Sequence, residues 1–295
     1  MASPPAPRVN VSLAKYSAYV AAVLGFAATV FIILRSTAAA SDETSCNFQA
    51  FRDAFQPTGD TTCIHKFWDA QRASFPLSLT FDIVEAFGTF LTIPAVFTLC
   101  EMYGWHFVES KVMATAFAVQ LGTNFLEFTV RAGERGVTDW LTGPSWNLHA
   151  DQLRSITLSY IQQQGQFTWL FAMDELLLGI ALLAAAVLGL SRRPGLMPAW
   201  FSWLSVVIGV IAIINFGLEL GRLGAWQTLS LVAGITAAAV GFILFPIWLI
   251  AVGCYLEVYA PSDSRGAPLM DEPEGDHSGL STSGVGLATE EPETV

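Results

Sequence analysis

Six stretches of the chain, about 16–36, 76–100, 109–131, 166–190, 198–221 and 227–257, are apolar over the length that a bilayer demands. A helix needs ~20 mostly apolar residues to cross ~30 Å of hydrocarbon. The pattern therefore predicts six membrane-spanning helices in an all-α, polytopic bundle. The last run is long enough to tilt or to project from the membrane. Residues 1–15 are rich in Pro and Ala and lack a signal-peptide pattern, and the first apolar run is itself long enough to span.

Polar residues interrupt these runs with a helical period. Gln120, Asn124, Glu127 and Arg131 step by four, three and four residues along the third run, which places them on one helix face. Asn215, Glu219 and Arg222 do the same along the fifth. Each Glu has an Arg within about one turn, close enough to form an ion pair. The second run adds Asp82 and Glu85, and the fourth adds Asp174 and Glu175. Neither Asp82 nor Asp174 has a basic residue within a turn of its own helix.

A central Asp costs ~2.5–3.5 kcal/mol on insertion scales, so such groups persist where a bundle interior or a watered cavity accepts them. Measured from Pro76, Asp82 and Glu85 lie ~9–14 Å along their helix; measured from Gln166, Asp174 and Glu175 lie at ~12–14 Å. Glu127 and Glu219 fall in the last turns of helices running the opposite way. All six carboxyls thus gather in one half of the bilayer. The expectation is an acidic cavity among spans two to five, open to the non-cytoplasmic side. An architectural assignment competes with it: Glu127–Arg131 and Glu219–Arg222 as ion pairs near the headgroups, and the aspartates as helix-to-helix hydrogen bonders.

The basic residues of short loops set orientation. Arg8, Lys15, Lys111, Arg192 and Arg193 share one side if the N-terminus is cytoplasmic, and an even number of crossings returns the C-terminus there. Arg131, Arg135 and Arg154 oppose this, but Glu134, Asp139 and Asp151 sit among them in a long loop. Cys46 and Cys63 fall in the first outer loop, about 37–75, where disulfides persist. A Cys46–Cys63 bridge is expected, with two free loop thiols as the alternative. His65–Arg72 reads as a short helix before Pro76. In the second outer loop, Leu153, Ile156, Tyr160 and Ile161 form one apolar stripe, as in a helix lying in the interface. Trp140 and Trp146 fit an interfacial aromatic belt, while Pro94 and Pro246 should kink their helices.

Three regions follow: a cytoplasmic N-terminal segment, 1–15; a transmembrane domain, 16–258; and a tail, 259–295. From Pro261 onward the tail holds eight acidic residues against one Arg, most of the chain's formal charge of −11. It has almost no large apolar residues and reads as disordered and cytoplasmic. Hairpin repetition is a further expectation. Asp82 and Asp174 are offset by 92 residues, and Asn124 and Asn215 by 91, with Glu127 and Glu219 following on the same helix faces. A parallel two-hairpin repeat, of the kind transporters use, would generate this; chance similarity between apolar segments is the rival.

Composition narrows the function. The chain is 53% hydrophobic and 13% charged, with a mean hydropathy of +0.50, whereas a soluble domain has roughly a quarter of its residues charged. A mildly acidic membrane body is not a nucleic-acid surface. No phosphate-binding Gly loop, nucleophile elbow, HExxH or Cys/His cluster occurs. No catalytic residue, metal or cofactor is therefore expected, although His65 and His149 both lie in outer loops. The leading expectation is a transporter or an ion- or solute-conducting protein of the plasma membrane or an endomembrane. Its partners would be the lipid bilayer and a cation, a proton or a small basic solute. The alternative is a non-catalytic binding or scaffold protein whose acidic tail recruits a cytoplasmic partner.

One short stretch carries a likeness. Ser191-Arg192-Arg193-Pro194-Gly195-Leu196-Met197-Pro198-Ala199-Trp200-Phe201-Ser202-Trp203 resembles the cytoplasmic hairpin between spans four and five of the domain-of-unknown-function 4386 family. Phe245-Pro246-Ile247-Trp248-Leu249-Ile250 resembles the final span of the same bacterial six-span proteins. The likeness covers about a tenth of the chain, and the Cys-bearing first loop and acidic tail depart from the family pattern. It implies six spans and no particular activity.

Overall fold

The computed structural model of the chain describes residues 11–40, 46, 48–143, 148–223 and 227–259, without the side chains of 35–40, 48, 222–231, 257 and 259. The segment before residue 11, Trp146 and the acidic tail from 260 onward lie outside the described residues. Within them every element is a helix: α1 (Val11–Ala40), α2 (Phe48–Asp53), α3 (Thr62–Tyr103), α4 (Val108–Thr142), α5 (Ala150–Val187), α6 (Ala199–Leu223), α7 (Gln227–Ala239) and α8 (Phe245–Tyr259). Single π-helical turns extend α5 over Leu188–Arg192 and join α7 to α8 over Val240–Leu244.

Five helices among the described residues are long and apolar enough to cross a membrane: Val11–Leu34, Thr62–Tyr103, Ala150–Arg192, Ala199–Gly221 and Val232–Leu256. Such helices are compatible with a membrane protein. α4 has 35 residues but is less apolar, because Glu127, Arg131, Glu134, Arg135 and Asp139 fall along its second half. It packs between α3 and α5.

The helices pack inside out relative to a soluble protein. α1 buries Ala14, Ala18, Ala21, Ala22 and Ala28 and exposes Leu13, Val20, Val23, Val30 and Ile33. Small residues let backbones approach, and large apolar residues turned outward suit a lipid solvent rather than water. α5 and α6 approach each other closely at a pair of glycines. A Cβ on Gly179 would stand 2.9 Å from the Gly209 carbonyl oxygen, and one on Gly209 would stand 3.0 Å from that of Gly179. This pairing sets the register that brings Asn215 and Glu219 alongside Glu175.

Pro246 is accommodated rather than merely tolerated. A proline removes the hydrogen bond to the carbonyl four residues earlier, here Phe242. The Thr29 hydroxyl of α1 donates to that oxygen at 3.3 Å, and Gly25 leaves room for the ring, whose Cγ would lie 2.8 Å from a Cβ. The adjoining core stacks Trp248 on Phe201 and Phe245, and the Trp248 indole donates to Ser205 at 2.9 Å.

Two sequence expectations change at the opposite end. His65–Arg72 is not a separate short helix; it is the start of α3, which continues through Pro76 and Pro94. Likewise the stripe at 153–161 is not a separate interfacial helix but the first part of α5. Leu153 and Tyr160 are buried against Ile64 and Trp68, whereas Ile161 is exposed. The physical reason is that a helix leaving an apolar layer keeps its hydrogen-bond ladder when a second small core covers it. That core is pinned covalently by Cys46–Cys63, whose Cα atoms are 5.7 Å apart. Arg154 donates to the Ala54 and Gly59 carbonyls at 2.8 and 2.6 Å, and the Trp68 indole donates to Thr157 at 2.9 Å. At the start of α3, the Thr62 hydroxyl and backbone N–H donate to Asp60 and hold its carboxyl below the usual range.

Candidate functional site

The polar stripe of α4 points into the bundle, and it meets the acids of α3, α5 and α6 in one layer. Glu85, Glu127, Asp174 and Glu219 each lie ~27–30 Å along their helices from the end opposite the disulfide, by the 1.5 Å rise per residue. Glu85 has Asp82 as its charged neighbour. Asp82 and Asp174 both neighbour Glu127. Glu175 neighbours Asp174, Asn215 and Glu219. The carboxyls therefore form a continuous chain from α3 across to α6.

They are not equivalent. Asp82, fully buried, accepts an ion pair from Arg135 Nε at 3.3 Å. Its partner comes from another helix, so the absence of a base within its own turn did not leave it isolated. Glu127, also fully buried, pairs with Arg131 Nη2 at 3.0 Å, as the i,i+4 spacing anticipates. The Arg131 guanidinium in turn lies 5.2 Å over the Phe167 ring. Asn215 is fully buried and accepts a hydrogen bond from the Thr236 hydroxyl of α7. Glu219 is buried; the Arg222 side chain expected to pair with it lies outside the described residues.

A cavity of about 350 Å³ opens beside this chain. Glu85, Gln120, Asn124, Asp174, Glu175 and Glu219 line it, as does Arg131; Asp82, Glu127 and Asn215 do not. The remaining wall is mostly apolar, with rings from Phe81, Phe128, Phe171, Phe242 and Phe245. The space arises because α7 and its π turn present Gly234, Ala237, Ala238 and Gly241 to it. Those four positions follow an i, i+3, i+4, i+7 pattern, so an entire helix face is small. A Cβ on Gly234 or Gly241 would meet no heavy atom within 4 Å.

Among the described residues no basic group lies within ion-pair distance of Glu85, Asp174 or Glu175. Asp174 accepts a hydrogen bond from the Thr123 hydroxyl, yet its Oδ2, like Oε2 of Glu175, is buried without a hydrogen-bond partner. Both residues are no more than 5% exposed. A buried carboxylate needs donors or a counter-charge, so this wall can accept protons or a cationic group. Metal ligation is a poorer match: among the described residues no group of three His, Cys, Asp or Glu could hold an ion. His65 sits near the start of α3, and His149 caps α5, where its backbone N–H donates to Gln152 at 3.1 Å.

Sequence reasoning missed Arg135, Thr123 and the α7 face. Arg135 extends the stripe 120–124–127–131 by one more step of four, but the apolar run ends at 131 and hydropathy alone leaves Arg135 in a loop. The signal in α7 was the spacing of its small residues. Nothing local announces Thr123, whose role depends on how α4 faces α5. No protein-family model, curated protein or solved structure matches this chain.

Proposed function

We propose that this is a six-span integral membrane protein, with α4 as the sixth span, that transports or conducts a cation, a proton or a small basic solute through the acidic cavity. The observation that carries this reading is the set of three carboxyls, Glu85, Asp174 and Glu175, on the wall of a cavity large enough for a ligand and without a basic partner among the described residues. A purely architectural acid is normally matched inside the bundle, as Asp82 and Glu127 are. Orientation is inferred from charge and redox chemistry: Lys111, Arg192 and Arg193 mark the cytoplasmic end, and the Cys46–Cys63 bridge marks the other. A ~30 Å hydrocarbon core set against the basic end puts the acid layer at its non-cytoplasmic boundary, the side to which the cavity opens in this reading. Both termini are then cytoplasmic. The matching offsets of the acids in the α3–α4 and α5–α6 hairpins favour a parallel repeat, and the likeness at 191–203 favours the same six-span plan.

The test is reconstitution of the full chain into liposomes, with proton and monovalent-cation flux read by entrapped dyes. Asp174→Asn and Glu175→Gln, at unchanged size-exclusion profile, are expected to lower flux at least about tenfold. Absence of flux of protons, inorganic cations and small amines from the wild type would sink the transport reading and leave a scaffold.

A further inference from the structure

Resting on the cavity being the protein's site, we infer that its ligand is a small organic cation: an ammonium group carried on a compact apolar or aromatic body. Volume comes first. About 350 Å³ lies within the range of small-molecule sites, roughly 300–1,000 Å³, and a bare ion or a proton would leave most of it empty. The distribution of chemistry comes second. Phe81 and Phe171 line the wall about one turn, ~5–6 Å, from Glu85 and Asp174 toward the disulfide end, so aromatic rings adjoin the unneutralised acids on that side, while Thr92 and Gln120 line the opposite end. A ligand with one charged head and an apolar remainder matches that arrangement.

Hydrogen-bond demand comes third. Asp174 Oδ2 and Glu175 Oε2 are buried acceptors without donors. An ammonium has three donors and no acceptor, so it satisfies both and has one left for Glu85 or Asn124. Phenylalanine rings around the cavity add attraction of their negative faces for a cation. An anion meets the wrong charge here, and a neutral polyol would leave the acids without a counter-charge.

The experiment uses the full-length protein purified in detergent and 2-phenylethylamine as the probe, compared with its neutral isostere 2-phenylethanol and with 3-phenylpropionate, by calorimetric titration. The amine is expected to bind at least about tenfold more tightly than the alcohol, and the carboxylate not at all. Asp174→Asn and Glu175→Gln should each weaken amine binding at least about tenfold. Ala238→Phe, which fills the cavity from α7 and leaves every acid in the sequence, should abolish it. Equal affinity for amine and alcohol overturns the inference, as does amine binding untouched in all three variants. If the variants do not fold, the wild-type comparison decides alone. A long-chain amine, sphingosine, separates a lipid source from a free solute; binding of sphingosine without phenylethylamine overturns the compact-body claim. Cation flux in liposomes without amine binding overturns this inference while sparing the transport reading. Amine binding without any flux supports it and removes transport.

Discussion

Asp82 and Asp174 look alike in sequence, each an acid in an apolar run, and the bundle gives them opposite surroundings. Asp82 is compensated by Arg135 across a helix interface, whereas Asp174 has only the Thr123 hydroxyl among its described partners. Removing one member of a buried ion pair typically costs 3–5 kcal/mol, because the survivor keeps its desolvation penalty. Arg135→Ala should therefore lower thermal stability markedly, and adding Asp82→Asn should recover part of the loss in a double-mutant cycle. Additive single effects in that cycle would show that the pair does not interact. Asp174→Asn should by contrast leave stability within about 1 kcal/mol, since it removes a charge that no base among the described residues compensates. The sequence showed where carboxyls sit along each helix; which are neutralised depends on neighbours brought together by tertiary register, and helical spacing alone does not encode that.

At the scale of elements, the apolar runs were legible because hydropathy and length report the lipid layer directly. Helix ends were not. α3 begins at Thr62 and α4 runs to Thr142, past the points where hydropathy falls, because the start of α3 is held by the Trp68–Tyr160 core and the disulfide and the end of α4 by Arg72, which donates to the Thr142 carbonyl at 2.7 Å. Cysteine position within one loop was enough to anticipate the bridge; the core that it pins was masked by a stripe equally suited to a membrane interface. Closing a loop of this length contributes about 3 kcal/mol in the chain-entropy account. Cys63→Ser, or reduction of the wild type, should then lower the melting temperature by several degrees while leaving flux measurable at low temperature. An unchanged melting temperature would mean the extramembrane core holds without the bridge. The α5–α6 approach is the less forgiving contact. Gly179→Val places methyl groups where the Gly209 carbonyl stands 2.9 Å from a bare Cβ, and overpacking of this kind costs about 1–3 kcal/mol. It should also disturb the register of Glu175 with Glu219, so loss of amine binding is expected in whatever fraction remains folded.

For the molecule as a whole, the account rests on a contrast between its surfaces: large apolar residues outward, small residues at helix contacts, and unneutralised acids around a central space. Composition announced only that the chain is apolar enough for a bilayer; which residues face outward came from the packing. The cavity was anticipated from the acids, but its walls were not, since an empty volume is defined by side chains that are absent, here along α7. The most direct measurement is the reactivity of a single thiol placed on that wall. Ala238→Cys, in a background with Cys100→Ser and Cys254→Ser, is treated in sealed proteoliposomes with membrane-impermeant methanethiosulfonates of opposite charge. A water-filled acidic cavity concentrates cations by about tenfold or more. The trimethylammonium reagent should accordingly react at least about ten times faster than the sulfonate reagent, and 2-phenylethylamine should slow it. Equal rates for the two reagents, or no reaction with either, would contradict an accessible acidic site.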